Sequence, residues 1–331
     1  MPTPIRSLAR RSAAVLLGGL LLAPAAPAQE GPYPSRAVRF VTWSSPGGTI
    51  DVVARLMADH IGRSWKQTVT VDNRVGASGI LATDHVAHSP ADGYTVLITT
   101  PTAHLYNPLL RAKLPYDPAR DFQPLSLLVT GPIALTASKV ARYGTMPELL
   151  AHARGSGGRV TYGTWGIGSG AHLLGEQLKQ ATQLNWEQVP YKNGETGILI
   201  DVVGGQIDVG FMGAGSAKTH AASGKVKILA VTGSRRTPQL PDVPTFSEQG
   251  LQGMEFGAWI AAYAPAGTPR PVVDKLVAGL REALRQPDIA RRLEDLTYEV
   301  IGSSPEELAS FNEQETRQWR TVIRAANIKL D

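Results

Sequence analysis

Two glycine-rich breaks, WSSPGG at residues 43–48 and GTWGIGSG at residues 163–170, each stand between a short β-rich run and a helical pattern, about 120 residues apart. A strand, a glycine loop and a helix make the repeating unit of an open α/β sheet, which binds ligands beyond the carboxyl ends of its strands. A chain that uses this unit once in each half has two helix N-termini available to face one another. A helix start leaves backbone N–H groups unpaired and carries about half a positive charge from the aligned peptide dipoles. Glycines let an anion approach that backbone and permit the positive φ angles that turn successive amides toward one point. Ser45, Thr49, Ser78, Thr164 and Ser169 add hydroxyl donors beside those amides. One such loop is equally an ordinary capped turn; the matching pair favours a site.

The rest of the sequence keeps the same alternation. Residues 37–42 and 69–71 and 95–99 read as strands, with helices from Thr49, where Val52, Val53, Leu56, Met57 and Ile61 recur at three- and four-residue spacing, and over residues 79–87. In the second half, strands are expected at 133–137, 159–162, 187–190, 207–211, 226–231 and 259–264, and helices at 146–153, 171–180 and 197–203. Three helices close the chain at 271–285, 287–296 and 305–325. This order predicts parallel sheets wrapped by helices. If the chain passes from one lobe to the other near residues 126–130 and returns near 256–264, both glycine loops line one cleft.

The N-terminus restricts location and charge. Arg6, Arg10 and Arg11 precede a short apolar run centred on Leu16 to Leu22, and Ala26-Pro27-Ala28 follows, so residues 1–28 read as a secretory signal peptide. That core is shorter than a comfortable membrane span. Without those three arginines the 33 basic residues become 30 against 28 acidic ones, so the mature chain is nearly neutral. Nucleic acid is excluded as a partner because no Lys/Arg stripe remains. Zero cysteines exclude disulfides and thiolate chemistry.

Familiar catalytic signatures are absent. Gly224-Lys225 is followed by Val226 rather than by Ser or Thr, Ala171 stands where a dinucleotide fingerprint needs its third glycine, and no serine of the second loop sits in G-x-S-x-G. His85 and His88 share a short helix without a third ligand, which reads as a solvated face and leaves no expected metal or cofactor. His104 and His172 neighbour the loops, so a hydrolase using one of them stays open as a rival from another class.

The segments SSPGGTIDVVARLMA, VDNRVGASGILATDHVAHSPADGYTVLITT, NPLLRAKLPYDPARDFQPLSLL, VPYK, GGQIDVGF, GKVKILAVTGSRRTPQLPDVPTFSEQG and APAGTPRPVVDKL resemble the Bug family, the TctC-like extracytoplasmic solute receptors of tripartite tricarboxylate transporters. The likeness covers nearly all of the chain after residue 32. It implies an α/β, two-lobed periplasmic binding protein of type II-like architecture, with lobe one at residues 29–129 plus 256–331 and lobe two at 130–255. It implies a small carboxylate held in the cleft between the lobes, membrane permease subunits as partners, a monomer and no enzymatic role. A receptor that signals to a membrane sensor is compatible with the same likeness.

Carried over position by position, the resemblance implies ligand contacts at Ser45, Pro46, Gly47, Gly48 and Thr49 in the first loop and Thr164, Trp165, Gly166, Gly168 and Ser169 in the second, with His172 beside them. Ser78, Thr100, Thr102 and His104 correspond to further cleft positions. Asp51 reads as a first-turn carboxylate serving its own helix. Three departures concern the ligand: Trp43 stands one position behind the aromatic residue of typical members, Trp165 replaces a small residue, and the span from Lys192 to Asp201 is one residue longer. The two tryptophans suit an aromatic acid, although either one packed under its loop gives the same sequence.

Overall fold

The computed structural model describes residues 32–191, 194–325 and 328–330; the expected signal peptide lies outside them. The strands are β1 (Val38–Thr42), β2 (Val69–Asn73), β3 (Thr95–Thr99), β4 (Phe122–Gly131), β5 (Ile133–Ser138), β6 (Arg159–Thr164), β7 (Asn185–Pro190), β8 (Val209–Gly213), β9 (Val226–Val231), β10 (Ala258–Pro265) and β11 (Glu299–Val300). The helices are α1 (Thr49–Trp65), α2 (Ile80–Ala87), α3 (Asn107–Leu110), α4 (Met146–Gly155), α5 (Gly170–Thr182), α6 (Glu195–Val203), α7 (Ala214–Ala222), α8 (Arg270–Leu284), α9 (Pro287–Asp295) and α10 (Pro305–Ala325).

Two sheets result. Sheet one has the order β11-β4-β10-β3-β1-β2 and sheet two the order β7-β6-β8-β5-β9. Neither is purely parallel, which corrects the expectation from the alternating pattern. β1 pairs in parallel with β2 and β3, and β6 with β7 and β8, but β10 runs antiparallel to both β3 and β4, and β5 antiparallel to both β8 and β9. The reversal comes from the crossings. β4 continues past residues 126–130 to Gly131 and enters sheet two through Pro132 alone, and β10 returns alongside β4 from the pair Ala258↔Gly131 to the pair Pro265↔Phe122. One strand leaving a sheet and one re-entering beside it must point in opposite directions.

Local sequence explains the helices that carry the loops. α1 buries Ile50, Val53, Ala54, Met57, Ala58 and Ile61, the three- and four-residue stripe, and ends where Lys66 turns left-handed at φ 52° and donates its N–H to Gly62 O. α10 lays Leu308, Trp319 and Ile323 inward. Each fully buried Leu, Ile, Val or Phe contributes about 1.5–3 kcal/mol. α7 and β11 escape sequence reading because AGSAKTHAA is almost free of large apolar residues and β11 is two residues long.

The segment after β3 departs furthest from expectation. Thr102 and His104, assigned to the cleft by the resemblance, lie inside a π-helical turn at Thr102–Tyr106 that runs on into α3. Pro108 has no N–H to give the His104 carbonyl four residues earlier, and a widened turn accommodates the missing bond. Thr102 and His104 are buried there, His104 stacked on Tyr263 at 3.8 Å and edge-on to Phe122 at 5.4 Å.

Candidate functional site

The first glycine loop is shaped by a carboxylate of the chain itself. Asp51, 1 % exposed in the first turn of α1, accepts the Gly47 N–H at 2.8 Å, Arg55 Nε at 2.8 Å and Asn73 Nδ2 at 2.8 Å. Asn73 also donates to Ser44 O. Burial alone would raise the Asp51 pKa, but the bonds from Arg55, Gly47 and Asn73 prevail and hold it below the ordinary carboxylate value. Ser45, Pro46, Gly47 and Thr49 remain exposed and Gly48 half-buried. Trp43 lies beneath the loop: a Cβ on Gly79 would come within 3.0 Å of its ring and 2.6 Å of the Ala103 Cβ. Gly79, at φ +89°, therefore joins the first loop to the π-helical turn. Ser78 belongs to the same junction, its carbonyl accepting from Asn107 Nδ2 at 3.0 Å.

The second loop is shaped by neutral groups. Ser169 caps α5, its hydroxyl accepting the His172 N–H at 3.3 Å and donating to Gly166 O at 2.7 Å. Gly168 donates its N–H to His172 Nδ1 at 3.1 Å. Thr164 Oγ1 accepts from Gln188 Nε2 at 2.8 Å. Thr164, Gly168 and Ser169 are buried, whereas Ile167 is exposed, Trp165 and Gly166 half-buried, and the side of Gly166 where a Cβ would sit is open. Gly168 faces protein: a Cβ on it would lie 2.6 Å from Leu330 Cδ1 and 3.1 Å from Leu110 Cδ1. Leu330 is held there by its N–H to Leu110 O at 2.8 Å.

The π-helical turn and α3 thus link both loops. Ala103 touches the junction under the first loop, Leu110 lies against Gly168, and Tyr106 packs near Gly170 and edge-on to Trp319. Of the expected residues, Ser78 and Gly168 touch this link directly, through Asn107 and Leu110. Thr100 and Thr102 lie at its start, while His104 points to the Tyr263 and Phe122 rings of sheet one.

Both candidate histidines are buried and disfavoured as cations. Burial drives the His104 pKa down to about 3, and its Nδ1 is buried without a partner. His172, its pKa also lowered by burial, spends Nδ1 on the Gly168 amide. Among the described residues neither ring is bonded to a side-chain hydroxyl, the arrangement that nucleophilic catalysis needs. No group of three His, Cys, Asp or Glu suited to a metal ion occurs among them either.

Sequence reading set Glu195 aside, with Asn193 and Gly194, because the longer span breaks the carry-over of site positions there. Glu195 starts α6 and accepts the Gly213 N–H at 2.7 Å, so a second carboxylate of the chain stands at a helix start of sheet two, that of α7. The longer span beginning at Lys192 was the available signal.

The profile of the tripartite tricarboxylate transporter family receptor, TctC, matches residues 53–328. The chain belongs to this family. A relative of this receptor from Pseudomonas sp. (strain P51), a UPF0065 protein in the tcbD-tcbE intergenic region, is 35% identical over 292 residues, covering 88% of this chain and 86% of its own. The structure of the periplasmic binding protein BugD superposes on this TctC-family chain with a TM-score of 0.82 at 34% identity, covering 90% and 99% of the two chains. An R. palustris protein determined with adipate superposes with a TM-score of 0.84 at 33% identity, covering 90% and 99%. The chain is accordingly a solute-binding protein of the Bug type, with the two-lobed α/β fold of periplasmic binding proteins.

Proposed function

We propose that this receptor captures a small carboxylate in the cleft between its two glycine loops and hands it to the membrane permease subunits of a tripartite tricarboxylate transporter. It is exported by residues 1–28, works as a monomer in the periplasm and releases its ligand chemically unchanged. The observation that carries the reading is the contrast between the two loops. Beside α1 a carboxylate of the chain, Asp51, already takes the loop amide of Gly47, while the start of α5 is lined by Ser169, His172, Thr164 and glycine backbone, all uncharged. An uncharged helix start with half-open backbone at Gly166 suits an anion. The Ser45 to Gly47 edge of the first loop closes on the ligand from the other side, and the half-buried Trp165 offers an aromatic surface to it. The adipate-bound relative supports the ligand class.

A thermal-shift screen of mono- and dicarboxylic acids on the mature protein tests this. A ligand at a hundredfold excess over its Kd adds about 2.7 kcal/mol to stability, worth roughly 4 °C in Tm for a chain of this size. Shifts from sugars or cations, with none from any carboxylic acid, reject the reading. Intact mass of the exported protein, expected to start within a few residues of Gln29, checks the export step.

A further inference from the structure

Glu195 lies at the ligand end of sheet two. β6, β7 and β8 run in parallel, with Thr164 opposite Pro190 and Gly163 opposite Gly210, so the second glycine loop, the start of α6 and the start of α7 emerge from one sheet edge. The Glu195 carboxylate reaches from α6 across that edge to the Gly213 N–H at the end of β8, the strand next to β6. Burial raises its pKa, while the Gly213 amide and the Ser216 hydroxyl act in the opposite direction. Among the described residues it makes no ion pair. Tyr298, just before β11, feels its charge: the pKa of this phenol is raised by burial and by Glu195, and its ring lies 2.8 Å from where a Gly131 Cβ would sit, at the crossing between the sheets.

We infer that Glu195 sets ligand selectivity, favouring carboxylates whose far end carries an ammonium or another hydrogen-bond donor over those that end in a second carboxylate. This rests on the reading that the ligand carboxylate lies at the second glycine loop. With one end of the ligand anchored at the start of α5, its far end extends along the same sheet edge toward Glu195. An ionised carboxylate accepts hydrogen bonds and donates none, and the bond from Gly213, with the Ser216 hydroxyl acting on it as well, leaves acceptor positions unfilled. A like charge brought beside it in a half-buried cleft is repelled, whereas an ammonium completes it. Selectivity of this kind works by penalising the wrong partner as well as by gripping the right one.

Titration calorimetry at pH 8 with length-matched pairs tests the inference: β-alanine against succinate, 4-aminobutyrate against glutarate, 5-aminopentanoate against adipate. Wild-type protein is expected to bind the amino member of its best pair at least tenfold more tightly than the dicarboxylate. Glu195→Gln keeps an oxygen for the Gly213 N–H, so it should fold, as circular dichroism checks, and should lower that ratio at least tenfold. Tighter binding of the dicarboxylates by wild-type protein overturns the inference without any variant. So does an unchanged ratio in folded Glu195→Gln, while carboxylate capture itself stands. If no member of any pair and no plain monocarboxylate binds, the proposed function fails and the inference with it.

Discussion

Replacing Asp51 with asparagine probes whether the chain's own carboxylate shapes the first loop. The side chain is 1 % exposed and holds three donors: Oδ2 takes Gly47 N–H and Arg55 Nε, and Oδ1 takes Asn73 Nδ2, all at 2.8 Å. Asparagine has one carbonyl, so either the Gly47 and Arg55 side or the Asn73 side then meets an amide NH2. Turning the Asn73 amide to compensate breaks its bond to Ser44 O. At least one hydrogen bond to a charged acceptor is lost, about 1.5–3 kcal/mol. The Arg55 pair adds no more than about 1 kcal/mol because that side chain is half exposed. The expected cost is roughly 2–4 kcal/mol, or about 3–6 °C in Tm. Urea unfolding of both proteins measures it. The sign with pH follows from the lowered pKa: the stabilisation is complete above the unfolded value of 3.8 and is lost as pH falls through the lower folded value, so the two proteins should converge in acid. A difference below about 0.5 kcal/mol at pH 7 would refute the claim that Asp51 holds the loop.

Gly168→Ala should cost about 1–2 kcal/mol for a left-handed residue at φ +78°, and more for displacing Leu330; Leu330→Ala should recover only the second part in a double-mutant cycle, and full additivity would disprove the contact. Ser169→Ala removes the cap of α5 and should lower stability by about 1 kcal/mol in urea unfolding, an unchanged midpoint being the contrary result. His104, with its pKa near 3 against 6.5 in the unfolded chain, makes the folded protein lose about 1.4 kcal/mol per pH unit as pH falls from 6.5 toward 3. His104→Gln should flatten that slope between pH 6 and 4, and equal slopes would show that His104 is not held neutral.

The elements whose residues speak for themselves were legible in the sequence. The α1 stripe of Ile50, Val53, Met57 and Ile61, the apolar run of β3 and both glycine loops follow from periodicity and turn chemistry alone. Strand direction was not, because nothing within residues 258–265 encodes that β10 pairs antiparallel to β4 and β3. The π-helical turn was hidden since Pro101 and Pro108 bracket too few residues to show a period. Site residues divide in the same way. That Gly168 belongs to a loop at a helix start could be read locally, but that it faces Leu330 rather than open space depends on a residue far along the chain. Glu195 was set aside because of the longer span around it, and its role could not be read locally since its partner, Gly213, lies on the next strand of the sheet but one.

The seat of Leu330 against Gly168 and Leu110 has a practical side. A peptide fused at the end of the chain starts beside Leu330 and therefore close to the second loop, where a histidine or acidic tag would add foreign charge. Purification handles placed at the mature N-terminus, or cleaved before titration, keep that electrostatic background as the native chain sets it. Affinities measured with a tag left at the other end would report the tag as well as the receptor.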